Sequence, residues 1–155
     1  MPNARLHVIC GGGTGGLLLR RLHERGYRLS AGPLSELDDD ARTGHALGIE
    51  LALVAKGGGP AADPLARARA LLSGSDGVIL TPFAVGTGNL TSLSLPLEFA
   101  PPTRLFLVLG GEFARRDYTG GEATKLYGLL RDRATAVVRG VAELLPVLTD
   151  RYPIA

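Results

Sequence analysis

Residues 11–16 read GGGTGG, five glycines around one threonine, between the apolar run Leu6–Cys10 and a stretch rich in leucine and arginine. A glycine turn that leaves a strand and opens a helix can do three things. It rounds a tight corner, it lets a phosphate approach bare backbone, and it lets helix and strand pack closely. The helix it opens adds oriented N–H donors and a partial positive charge. Gly11, Gly13 and Gly16 satisfy the spacing G-x-G-x-x-G. Gly11, Gly12, Gly13, Thr14, Gly15 and Gly16 are therefore the first candidate cradle, for a nucleotide or another phosphate-bearing ligand. The alternative is a turn with no ligand. A dinucleotide site also wants an acidic residue about twenty positions on, at the end of the second strand. Glu36 is the nearest, but it lies beyond Pro33, so a generic phosphate or nucleotide is favoured over NAD.

Two more loops carry the same kind of residue. TPFAVGTGN, residues 81–89, holds Gly86, Gly88 and Asn89; GGEFARRDYTGG, residues 110–121, holds Asp117, Tyr118, Thr119, Gly120 and Gly121. Each follows a candidate strand, and ligands of open α/β sheets lie beyond the carboxyl ends of strands. Each also has a plainer reading. Asn89 can serve as a helix cap, and Thr119 with Glu122 forms a T-x-x-E capping box. Arg115 and Arg116 suit a solvated loop pair, with Asp117 either pairing with them or orienting a base or ribose. Gly120 and Gly121 are poor helix formers, so their value at a helix start is backbone access. The three loops are expected to converge on one anion-binding surface.

Catalytic signatures are missing. There is no G-x-x-x-x-G-K-[ST] and no G-x-S-x-G, and LLSGSDG only superficially echoes an ABC signature. No Ser, His and Asp set converges. Cys10 stands alone at the end of a buried strand and reads as a small core residue; His7, His23 and His45 lack metal-ligand spacing. A non-catalytic binding domain without ATPase activity is expected.

Composition narrows the class. The 155 residues are 45% hydrophobic and carry a net charge of +2, which supports a packed core. The basic residues are dispersed, so no footprint for nucleic acid is expected. No apolar run reaches membrane-spanning length, and the first residues, MPNARLHVIC, lack a signal-peptide core. A soluble cytoplasmic protein is the expectation.

The elements that must position these loops alternate. Strands are expected at Leu6–Cys10, YRLSAG (27–32), IELALVA (49–55), GVILT (77–81), RLFLVL (104–109) and TAVV (135–138). Between them, Leu18, Leu19 and Leu22 mark one helix, capped near Gly26, and DDDARTGHALG a second, ending at Gly48. Asp63-Pro64 opens a third, with Leu65, Ala68, Leu71 and Leu72 on one face. Asn89 starts a short helix that Pro96 bends or shortens, TGGEATKLYGLLRDR forms the best helix, and Pro146 disturbs the last one, VAELLPVL. This alternation implies a three-layer α/β sandwich in one domain, with a mostly parallel sheet of five or six strands. Leu6–Cys10 and Gly77–Thr81 should lie near its centre.

LHVICGGGTGGLLLRRLHERGYRLSAGPL, PFAVGTGNL and RRDYTGGEATKLYGLL together resemble the C-terminal extension of ABC transporter ATP-binding proteins for cobalamin and iron-siderophore uptake. The resemblance runs in the same order over nearly the whole chain, and RDYTGGEA is its most distinctive motif. It implies a Rossmann-like domain with a regulatory role and ABC transporter components as partners. The ATPase domain of that family is missing here, so a free-standing copy or an isolated domain is expected. Weaker resemblances reach phospholactate-transferase-like proteins and nucleotide phosphoribohydrolases. They keep a small nucleotide-processing enzyme open as an alternative, beside a structural homodimerisation module.

Overall fold

The computed structural model describes residues 3–11, 13, 15–54, 64–81, 94–98, 104–108 and 122–154. Among these, six strands form one sheet: β1 (Arg5–Ile9), β2 (Arg28–Ser35), β3 (Glu50–Val54), β4 (Gly77–Leu80), β5 (Arg104–Val108) and β6 (Ala136–Val138). Their spatial order is β3-β2-β1-β4-β5-β6, and every pairing is parallel. This is the doubly wound, Rossmann-like order. β1 and β4 are the two central strands, as expected from the glycine-rich loops that follow both.

Helices α1 (Gly16–Glu24), α2 (Asp39–Leu47), α3 (Pro64–Ser73), α4 (Glu122–Arg133) and α5 (Val141–Arg151) cover the sheet, with a 3-10 turn at Leu95–Glu98. Strand alternation divides the core in two. Leu6, Val8, Ile79, Phe106 and Val108 pack with Leu18, Leu19 and Leu22 of α1 and Leu144 and Leu148 of α5. Ile9, Val78, Leu80, Leu105 and Leu107 pack with Ala68, Leu71 and Leu72 of α3, Leu95, and Leu130 of α4. Each leucine so buried contributes roughly 2 kcal/mol of transfer free energy. The result is three layers.

Several boundaries differ from expectation. β2 does not stop at Gly32 but passes through Pro33 to Ser35, with a register shift against β3 between Ala31 and Leu34. A proline lacks only the donor, and a strand absorbs that at an irregularity. α5 likewise runs unbroken through Pro146. Leu144 and Leu148 on either side of it are buried, and their packing holds the helix across the missing N–H. α1 closes on Arg25, with Gly26 one position beyond at φ +88°. α2 ends as expected at Gly48, whose left-handed φ of +71° suits glycine. Asp38 begins α2, its side chain accepting the Asp40 N–H at 3.0 Å. The 3-10 turn buries Leu95 and Pro96; Asp63, Asn89, Leu90 and Leu93 lie outside the described residues.

Candidate functional site

The carboxyl ends of β1, β4 and β5 are neighbours at one edge of the sheet, and adjacent strands stand about 4.8 Å apart. The three glycine-rich segments follow these three ends in the sequence. Between β1 and β4 the chain direction across the sheet reverses: α1 leads away from β1 to one side and α4 from β5 to the other. The two central ends are tied together, because Thr81 donates both its N–H, at 3.0 Å, and its hydroxyl, at 3.3 Å, to the Ile9 carbonyl. Thr81 is buried, so this tie between the two central strand ends is shielded from water.

Of the expected site residues, Gly11, Gly13, Gly15 and Gly16 are described. Gly12, Thr14, Gly86, Gly88, Asn89, Asp117, Tyr118, Thr119, Gly120 and Gly121 lie outside the described residues. Gly11 is buried just past β1. Gly13 makes the turn, at φ +80°, with open space where a side chain would stand. Gly16 is the first residue of α1, and a Cβ there would meet nothing closer than the Thr43 hydroxyl at 3.5 Å. The close-packing glycine is instead Gly15. A Cβ on it would lie 2.5 Å from Cys10 Cβ and 2.6 Å from Cys10 Sγ. The motif spacing alone assigns that task to Gly16; the fold gives it to Gly15, because this residue lies directly over the end of β1.

Asp40 is the residue that sequence reasoning missed. It is 1% exposed, beneath the glycine turn, and its Oδ2 accepts the Gly15 N–H at 3.0 Å. Its Oδ1 is buried with no hydrogen-bond partner. Burial pushes this carboxyl above its usual range; the Gly15 and Gly16 amides pull it down, while Asp38 adds to the rise. The Cys10 thiol lies against the same carboxylate and is itself pushed well up, by burial first and by Asp40 second. That matches its reading as a core residue: a thiol so held supplies little thiolate. Asp40 precedes Ala41 and lies four positions before Gly44, and all three are buried on α2; the sequence by itself does not set it apart from the neighbouring Asp38 and Asp39.

His7, in β1, is a further buried polar group. Its Nε2 lies 2.8 Å from the Gly32 carbonyl and its Nδ1 2.7 Å from the Ser30 hydroxyl. A carbonyl only accepts, so Nε2 carries the proton and Ser30 donates to Nδ1. The ring is neutral and fully used, and it fastens β1 to β2.

Glu36 directly follows Ser35, the last residue of β2. It therefore stands at the strand end, where a dinucleotide fold carries its acidic residue; Pro33 does not separate it from the strand. No helix among the described residues is long and apolar enough to cross a membrane. Among the same residues no group of three or more His, Cys, Asp or Glu side chains gathers to hold a metal ion.

Comparison with curated proteins and with solved structures gives no match. A family model, that of the MJ0874 family, matches residues 29–145. The matched span runs from β2 into α5 and takes in both loops beyond β4 and β5. It covers about three quarters of the sequence, and the chain belongs to the MJ0874 family.

Proposed function

We propose that this chain binds a nucleotide or another phosphate-bearing small molecule in the crevice beyond β1 and β4, as a non-catalytic regulatory domain. The observation that carries this reading is the strand order. A sheet ordered β3-β2-β1-β4-β5-β6 opens a crevice at the reversal, and the glycine turn after β1 borders it. The place of Glu36 at the end of β2 favours a ligand with a ribose hydroxyl over inorganic phosphate alone. A role in cobalamin or iron uptake, with ABC transporter components as partners, belongs to the same proposal and rests on the sequence resemblance.

The test is calorimetric titration of the full chain with ADP, NAD, cobalamin and inorganic phosphate, beside a magnesium-dependent hydrolysis assay. Saturable binding of a nucleotide or dinucleotide without turnover is the expected result. Turnover of a nucleotide would move the chain to the enzyme reading. No binding of any of the four would leave the glycines as turn residues.

A structural dimerisation module is the competing reading. Val137 on the edge strand β6 is 42% exposed, and an apolar side chain on a sheet edge invites pairing; Leu129 on α4, 54% exposed, adds apolar surface. A mass measured in solution separates the two.

A further inference from the structure

Helix α1 has no acidic residue in its first turn and no side-chain cap of its own. Asp40 supplies a negative group there from a different helix. Its Oδ2 holds the N–H of Gly15, the residue that caps α1. Its Oδ1 lies under Gly16, 3.7 Å from where a Cβ on that residue would be, and is buried without a partner. The amino end of α1 is where a doubly wound fold receives phosphate. Here that end already has an internal carboxylate.

Among the described residues only neutral donors steady a charge on Asp40. From β1 it faces the Cys10 thiol, from α1 the amides of Gly15 and Gly16, and from its own helix start the Asp38 carboxylate. No basic side chain among the described residues is close enough to bias it. A second negative group brought to the same helix end would share it with this buried carboxylate, one of whose oxygens has no partner. Like charges so placed do not both stay ionised.

We propose that Asp40 is a resident anion at the amino end of α1, and that an anion binding to the glycine turn drives protonation of its carboxylate. Binding and uptake of one proton are then a single coupled event. The proton comes from solvent and adds to Oδ1, the oxygen with no partner. Oδ2 keeps the Gly15 N–H, so the turn holds its shape while the charge disappears. The coupling makes the site selective for anions at lower pH, and it rests on the ligand reading above.

Sulfate is the probe, because its own charge is constant across the range tested. It is titrated calorimetrically into the full chain from pH 5 to 8, in pairs of buffers with different ionisation enthalpies. The wild-type protein is expected to take up close to one proton per sulfate at the upper end. Its affinity should there fall by about tenfold per pH unit. Asp40→Asn keeps an acceptor for Gly15 and loses the charge. It should bind sulfate without proton uptake, with an affinity independent of pH and at least about tenfold tighter at the upper end. If Asp40→Asn does not fold, Asp40→Ser and the proton count of the wild-type protein decide the matter. Sulfate binding without proton uptake in the wild type, or equal pH dependence in wild type and variant, would overturn the role of Asp40 and leave the ligand reading standing. No binding of sulfate or ADP by either protein at any pH defeats both.

Discussion

The imidazole of His7 meets the carbonyl of Gly32 at 2.8 Å in the fully buried seam between β1 and β2. Burial lowers the His7 pKa from 6.5 to about 4, with the Gly32 bond opposing the shift only in part. The unfolded chain therefore takes up a proton near pH 6.5 that the folded chain refuses until about 4. The contribution is complete above the unfolded value and is lost as pH falls toward the folded one, up to about 3 kcal/mol. Urea midpoints measured from pH 7 to 4 should fall accordingly, and His7→Gln should flatten that slope. Asp40 acts in the opposite sense. Its raised carboxyl favours the folded state at low pH, and that contribution is lost as pH rises through its folded value. Asp40→Asn therefore steepens the acid slope where His7→Gln flattens it.

Gly13 and Gly15 should resist substitution for different reasons. Gly15→Ala drives a methyl group into Cys10 Cβ and Sγ, at 2.5 and 2.6 Å, and should cost about 1–3 kcal/mol. Gly13→Ala meets no neighbour but holds an L side chain at φ +80°, costing on the order of 1 kcal/mol. Asparagine at position 13 tolerates that backbone better than alanine; at position 15 it is worse than alanine. Chemical denaturation of the four variants gives the two rankings.

Tyr152 closes the opposite edge of the sheet. Its hydroxyl donates to the Asp76 carbonyl at 3.0 Å and lies 2.7 Å from where a Cβ on Gly77 would stand. Gly77→Ala should destabilise by about 1–3 kcal/mol. Tyr152→Phe removes the nearest obstacle, so the double variant should lose less than the sum of the singles. A double-mutant cycle reads this coupling directly; strict additivity would show that Leu6 and Phe106, each at 3.2 Å, carry the clash instead.

Pro146 is exposed within α5 and deprives the Ala142 carbonyl of its helical donor. Pro146→Ala should raise stability by about 1 kcal/mol, the restored bond and better propensity being partly offset by a freer unfolded chain. Thermal unfolding checks it.

What could be read from the sequence tracks how local the cause was. β1, β4 and β5 announce themselves because strands buried on both faces are short apolar runs, and α2 because Asp38 and Gly48 punctuate it. The end of β2 was not legible: Pro33 reads as a stop unless the neighbouring strand is known to shift register there. The division of labour between Gly15 and Gly16 depends on the position of Cys10, which no motif spacing encodes. Asp40 reads as one of three aspartates at a helix start, and only the packing of α2 against α1 turns it inward. His7 alternates with Leu6 and Val8 in a buried strand, which places it on the opposite face and so inside; read as a metal ligand it gave no signal.

The strand order also sets a sequence of events during synthesis. β1 acquires β2 once residue 35 is free, and β3 joins by residue 54. The other side of β1 pairs only when residues 77–80 have emerged. A ribosome paused between those points displays half a parallel sheet, apolar above and below, with its future centre as an open edge. Such an edge is a template for any strand, including one from a neighbouring nascent copy on the same message. The time taken for residues 55–76 to leave the ribosome thus bears on the yield of folded protein.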